Sequence, residues 1–175
     1  NLGLPEEEVN VRVREAIELV GLNYEKMWDR SPFELSGGQK RRVAIAGVIA
    51  MKPQILILDE PTAGLDPKAH EDVLNMVKKI HKDENNAILL ISHNMGDIAK
   101  LCDKVLVMDQ GKLILEGTPE EVFSQEEFLV SLGLAVPPAA AFINQLKRKG
   151  LPVKGNPLTL SQVEEELVRL LGEHK

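Results

Sequence analysis

Apolar and polar residues alternate along the middle of the chain in segments typical of an α/β core. Residues 55–58 (ILIL) and 87–91 (AILLI) are short aliphatic runs, expected of strands buried on both faces of a parallel sheet. Between them, a helical pattern starts at Lys68. Residues 103–117 (DKVLVMDQGKLILEG) predict two strands joined at Gln110-Gly111. The order strand, helix, strand, helix, hairpin indicates an α/β fold.

Helical patterns flank this core on both sides. Residues 6–20 form an amphipathic pattern that ends at Gly21, a plausible C-cap. A second apolar helix is expected directly after the sequence LSGGQ at 35–39. We therefore expect a helical lobe at residues 1–52, the α/β core at 53–123 and a helical C-terminal extension at 124–175.

The extension contains three further helical patterns and a loop rich in glycine and proline at 150–157. Thr118 and Glu121 predict a capping box just before it, and Ser161 and Glu164 predict another for the last helix. The last helix carries one apolar face, which either folds back on the chain's own core or forms a homodimer contact. The residues on that face are Val163, Leu167, Leu170 and Leu171.

Two carboxylates follow the first predicted strand. Asp59 and Glu60 stand at its C-terminal end, the edge at which open α/β sheets bind ligands. Asp59 suits a Mg²⁺ ion beside the β- and γ-phosphates of a nucleotide, and Glu60 suits an attacking water. The simpler alternative is a polar turn before Pro61.

Two more segments suit a phosphate. Ser36 can cap the helix that follows, and Gly37 and Gly38 let a ligand approach the backbone, so that the helix N-terminus becomes an anion site. An ordinary loop that caps a core helix is the alternative. His93 follows the second predicted strand, where it can donate to a γ-phosphate or orient water if the two strands are parallel neighbours. A loop residue without function is the alternative for His93.

Composition narrows the class of protein. The 175 residues include 27 acidic and 21 basic side chains, with a net charge of -6 and no basic cluster that indicates nucleic acid binding. A single cysteine, Cys102, excludes an internal disulfide and is expected to pack beside a helix. The longest apolar run, 43–51, is too short to span a membrane. Any membrane role is therefore expected to come through a partner.

In this order and spacing, LSGGQ, ILILDEP, AGLD and His93 resemble the second half of an ABC-type ATPase domain, over roughly residues 1–122. The resemblance implies a partial P-loop NTPase core that uses ATP and Mg²⁺. It also implies the role of each motif residue. By this resemblance the signature loop consists of Ser36, Gly37, Gly38 and Gln39. Asp59 is the magnesium aspartate, Glu60 is the catalytic glutamate and His93 is the switch histidine. Ala63 to Asp66 form the loop that touches the opposite subunit.

No G-x-x-x-x-G-K-[ST] phosphate loop occurs in the sequence, and in the family that loop lies upstream of the part matching Asn1. We therefore expect the chain to be the C-terminal part of a longer protein and to be inactive alone. The amino-acid sequences of residues 41–68 and of the C-terminal extension are most similar to those of the ATPase subunits of energy-coupling-factor and cobalt-type importers. That similarity implies a second ATPase subunit, identical or related, integral membrane partners, and a peripheral position on the cytoplasmic face of the cell membrane.

Three classes of function stay open at this point: an importer ATPase subunit, a soluble ABC ATPase of the DNA-repair or ribosome-associated kind, and a non-catalytic interaction fragment. Neither a coiled-coil ending nor a basic linker is present to favour the second class. Intact Glu60 and His93 argue against the third for the whole protein. We expect in-line attack of water on the γ-phosphate, at a site to which one subunit supplies Asp59, Glu60 and His93 and the other supplies residues 36–39.

Overall fold

The computed structural model describes residues 3–84 and 86–172, which divide into one unit that ends at Ile91 and a second that begins at Ser92. The α/β class predicted from the sequence is confirmed. The first unit contains α1 (Glu6–Leu19), α2 (Tyr24–Met27), a 3-10 turn (Pro32–Glu34), α3 (Gly37–Ile49), β1 (Ile55–Asp59), α4 (Pro67–Glu84) and β2 (Ala87–Ile91). The second contains α5 (Met95–Leu101), β3 (Val105–Asp109), β4 (Lys112–Gly117), α6 (Pro119–Phe123), α7 (Glu126–Ser131), α8 (Pro138–Arg148) and α9 (Leu160–Gly172). The predicted division at residues 52 and 123 stays a prediction.

Strands β1 and β2 pair in parallel, as the sequence predicted, with Asp59 opposite Ile91 at their carboxyl ends. The expectation that both strands are buried on both faces is wrong. Side chains alternate between the two faces of a strand, and only one face of β1 is covered, with Leu56 and Leu58 2% and 5% exposed. The other face is open along both strands. Its large side chains are Ile55, Ile57, Leu89 and Ile91, between 44% and 64% exposed.

The helices of the first unit bury one side each. α4 has a fully apolar buried stripe in which Val73 and Ile80 have no exposed surface, as expected of an amphipathic helix of 18 residues. α1 packs on α3, and its chain reverses at Gly21, where φ is 73°. The C-cap is Val20, one residue before the predicted Gly21. Gly21 follows it in the left-handed conformation, and its amide donates to the carbonyl of Glu18 at 3.0 Å.

The second unit is built on an antiparallel hairpin of β3 and β4. Its turn lies at Gln110 and Gly111, as predicted, with φ of 46° and 75°, and positive φ at both central residues defines the type I′ turn that suits twisted strands. Thr118 caps α6 in the predicted capping box with Glu121. Apolar side chains of the hairpin, α6 and α7 share one core with Leu158 of the tail.

The C-terminal helices fold back on each other within this unit. Val163 of α9 clusters with Ala139 and Ile143 of α8, which supports the first of the two alternatives for the apolar face of α9. Leu171, at the edge of that face, is 72% exposed.

The predicted capping box of α9 is wrong by two residues. Gln162, not Glu164, accepts from the amides of Leu158 and Thr159 at 2.9 and 3.0 Å. The Gln162 amide donates in turn to Thr159 Oγ1 at 3.4 Å. The helix therefore starts at the earlier of two overlapping S/T-x-x-E/Q sequences.

Residues 150–157, here called the tail loop, are held by side chains from both neighbouring helices. Lys147 Nζ of α8 donates to the carbonyl of Gly155 at 2.6 Å and to Asn156 Oδ1 at 2.5 Å. From α9, Glu166 accepts from the Lys154 amide at 2.5 Å, and Arg169 donates to the Pro152 carbonyl at 2.7 Å. Polar contacts therefore order the loop, although it is rich in glycine and proline, which disfavour helices and strands.

Cys102 ends α5 as its C-cap and is partly buried, and this burial raises the pKa of its thiol. None of the helices in the described ranges is both long and apolar enough to cross a membrane.

Candidate nucleotide-hydrolysis site

Ser36 begins α3 with the geometry of a capping box. Its hydroxyl oxygen accepts from the Gln39 amide at 3.3 Å, and Gln39 Oε1 accepts from the Ser36 amide at 3.0 Å. The predicted N-cap is confirmed. Because the Ser36 oxygen serves as the acceptor, its proton is left to donate outward, and Ser36 is exposed. This end of α3 combines a hydroxyl donor with the positive end of a helix dipole, which suits an anion.

The two glycines of the loop differ in what surrounds them. A Cβ built on Gly37 would meet nothing nearer than Leu65 Cδ2 at 3.9 Å, and Gly37 is exposed. A Cβ on Gly38 would lie 2.9 Å from the Cβ of Ala69 in α4. Gly37 thus leaves space beside its backbone, whereas Gly38 is needed for the close approach of α3 and α4.

Asp66 acts as the N-cap of α4. Its Oδ1 accepts from the amides of Lys68 and Ala69 at 3.1 and 3.0 Å. Pro67, which has no N–H, occupies the first helical position, where none is needed. Asp66 itself is exposed. Its carboxylate fixes the end of the loop that the family resemblance assigns to contact with another subunit.

Asp59 and Glu60 stand where β1 ends. Asp59 is the last residue of the strand and is exposed. The amide of Glu60 donates to the carbonyl of Ile91 at 2.9 Å, which extends the parallel ladder by one bond. Glu60 then turns the chain away with φ of 46°, a left-handed conformation that costs an ordinary residue about 1–2 kcal/mol. Such strain is found preferentially where a side chain must be aimed for function.

The side chains near Asp59 fit Mg²⁺ better than a metal ion that is held by protein ligands alone. The described residues contain no group of three or more His, Cys, Asp or Glu side chains placed to hold a metal ion. Mg²⁺ in nucleotide sites typically takes one or two carboxylates and fills its other positions with water and phosphate oxygens. One exposed carboxylate at the end of a strand meets that requirement.

His93 is exposed and follows β2 by two residues. It sits in a short connection in which the Asn94 amide donates to Ser92 Oγ at 3.0 Å, and Asn94 caps α5. His93 belongs to the second unit. Its association with Asp59 and Glu60 therefore stays a prediction from the sequence.

The structure brings two of the predicted motifs together within the first unit. Residues 36–39 and the loop 63–66 are adjacent, through the approach of Gly37 to Leu65 and of Gly38 to Ala69. Sequence reasoning did not identify Ala69, because an alanine in the first turn of a helix is unremarkable in composition. Its only signal is its position, three residues after the Asp66 cap.

Comparison with known proteins relates the chain to transporter proteins. Residues 2–63 match the family model for the ABC transporter. Over these residues the chain is similar to part of an ABC transporter domain. It is 54% identical, over 98% of its length, to the energy-coupling factor transporter ATP-binding protein EcfA2 of Clostridium tetani. Its identity to the protein of the same name from Enterococcus faecalis is 44% over 99% of its length.

A solved structure confirms the fold. CbiO1 from Clostridium perfringens, described as part of the ABC transporter complex CbiONQ, is 38% identical to this chain, with a TM-score of 0.65. The match covers 85% of this chain and 57% of CbiO1. The chain spans 60% of the length of the two EcfA2 proteins. The predicted resemblance to energy-coupling-factor and cobalt-type ATPases is confirmed.

Proposed function

We propose that this chain supplies hydrolysis and signature residues to an ATP-binding subunit of an energy-coupling-factor importer. Identity of about half over nearly the whole chain to transporter ATP-binding proteins supports the proposal. The subunit would bind ATP, pair with a second ATPase subunit and drive solute movement through integral membrane partners. Its position would be peripheral, on the cytoplasmic face of the cell membrane.

The observation that carries the proposal is the geometry of Asp59 and Glu60. They are consecutive, at the carboxyl end of a parallel strand, and the second is held in a left-handed conformation. In this proposal Asp59 holds Mg²⁺, which when bound neutralises charge on the β- and γ-phosphates. Glu60 acts as the general base, which takes a proton from the attacking water as the water oxygen bonds to the γ-phosphorus, and His93 donates a hydrogen bond to a γ-phosphate oxygen.

The signature loop acts on a nucleotide held by the other subunit. Ser36 donates its hydroxyl proton to the γ-phosphate, and the amides at the start of α3 add their dipole. Asp66 holds the adjoining loop in place by capping α4. These assignments cover the groups that contact the γ-phosphate and the attacking water. They do not include residues that bind the β-phosphate, because the sequence contains no phosphate loop.

The test is Glu60→Gln in the complete protein. Loss of the carboxylate is expected to lower the rate of ATP hydrolysis by about 10²–10⁴-fold, the usual contribution of a positioned base. ATP binding is expected to persist, because Glu60 acts on water and not on the nucleotide. The matched control is Glu164→Gln, at an exposed position of α9, which is expected to hydrolyse at the wild-type rate. Wild-type turnover by Glu60→Gln would remove Glu60 from the mechanism.

A further inference from the structure

The junction between α3 and α4 is built from two residues with almost no side chain. The hypothetical Cβ of Gly38 lies 2.9 Å from Ala69 Cβ, closer than real Cβ atoms approach, and 3.9 Å from Ala69 Cα, an ordinary contact. The backbone of the first turn of α3 therefore rests directly on Ala69. Gly38 is buried at this point and Ala69 partly so. Here this contact is called the Gly38–Ala69 seam.

The seam connects the signature loop, which the proposed function places against a second subunit, to the loop 63–66, which the family resemblance places there. On one side, Gly38 follows Ser36 by two residues and lies inside its capping box. On the other, the Ala69 amide donates to Asp66 Oδ1 at 3.0 Å, so that Ala69 is fixed to the cap of α4. A change in the volume of residue 69 must therefore shift one loop relative to the other.

Resting on the proposed function, we infer that Ala69 is a positioning residue for hydrolysis across the subunit interface. Its methyl group sets the separation between the Ser36 hydroxyl and the Asp66 loop, so that both meet the partner's nucleotide at once. Ala69 does not touch the nucleotide itself. Catalysis by positioned groups is sensitive to such shifts, and a displacement of about 1 Å can lower a rate about 10²-fold.

Two substitutions in the complete protein test this inference from opposite directions. Ala69→Val adds two methyl groups at the seam, and Ala69→Gly removes the methyl group while leaving the amide that Asp66 binds. Both are expected to lower kcat, Ala69→Val by about 10- to 10²-fold and Ala69→Gly by less, with KM for ATP unchanged. Lys79→Val and Lys79→Gly, at an exposed position of the same helix, control for helix propensity and are expected to keep wild-type kcat.

The second readout separates positioning from loss of structure. ATP affinity of the monomer, measured by calorimetry, is expected to be unchanged in the Ala69 variants, while ATP-dependent dimerisation in a Glu60→Gln background weakens. The inference is overturned if the Ala69 and Lys79 variants share one kcat, or if kcat and monomer affinity fall together. If Ala69→Val does not fold, Ala69→Gly decides alone, and wild-type kcat in that variant overturns the inference. Ser36→Ala tests the proposed function itself. Full hydrolysis by that variant would refute the signature role of Ser36, and with it the positioning role of Ala69.

Discussion

Replacing Ser36 separates the structural role of its hydroxyl from the proposed catalytic one. In the structure the Ser36 oxygen caps α3, and in the proposed mechanism its proton donates to a phosphate. Ser36→Ala removes both functions. Ser36→Asp keeps an acceptor for the Gln39 amide and adds a negative charge at the positive end of α3, both favourable for the helix.

The magnitude for stability follows from the cap. Loss of a serine N-cap to alanine costs about 1 kcal/mol. In a chain of this length such a change lowers the thermal midpoint by about 2–4 °C. Ser36→Asp is expected to melt within about 1 °C of the wild type, since aspartate and serine are comparable caps. Wild type and Ser36→Asp are therefore expected to be about equally stable, and Ser36→Ala is expected to be less stable than both.

The order for hydrolysis is different. Ser36→Ala loses one donor to the γ-phosphate, which costs about 10²–10³-fold in kcat for a donor to a developing oxyanion. Ser36→Asp is expected to be worse, because its carboxylate repels the phosphate. Thermal melting followed by circular dichroism measures the order of stability. Steady-state phosphate release from the complete protein measures the order of hydrolysis rates. If hydrolysis follows stability, with Ser36→Asp as active as wild type, the phosphate role of Ser36 is wrong.

Two further predictions concern stability in the second unit. Gln110→Asn is expected to stabilise the β3–β4 hairpin by about 0.5–1 kcal/mol in urea unfolding, because Gln110 has φ of 46° in a type I′ turn, where asparagine is favoured; an unchanged midpoint would contradict this. The pKa of Glu166 is lowered from 4.5 to about 2 by hydrogen bonds from the Arg169 guanidinium and the Lys154 amide. The ionised carboxylate therefore adds stability that is complete above about pH 4.5 and is lost as the pH falls toward about 2. The difference in thermal midpoint between wild type and Glu166→Gln should shrink over that range, and a constant difference would show that the charge of Glu166 does not matter.

The parts of the fold that the sequence predicted correctly are those fixed by local chemistry. The turn at Gln110-Gly111 and the caps at Ser36 and Thr118 each depend on residues within four positions of one another. Such signals need no knowledge of the rest of the chain. The same reasoning failed at α9, where two overlapping capping sequences compete. The choice of Thr159 depends on Gln162 reaching the amide of Leu158, a buried residue, and burial is a tertiary fact.

The exposed face of β1 and β2 shows the other limit of sequence reasoning. An uninterrupted apolar run such as 55–58 indicates a strand whose residues can all be buried. It does not tell which face is covered in a given chain. The approach of Gly38 to Ala69 was equally hidden, because nothing in either residue type indicates its contact. The candidate site was therefore predictable as a set of residues, whereas the packing that places the residues was not.

The anchoring of the tail loop determines how the chain meets a protease. The loop contains an obvious tryptic bond after Lys154, in a surface segment rich in glycine and proline. Yet the Lys154 amide is bound by Glu166, and Lys147 holds the two residues that follow. A protease needs an extended, released segment, so cleavage there must wait for these hydrogen bonds to open. The rate of nicking at Lys154 therefore measures how often the tail opens locally, and not how much of it faces solvent.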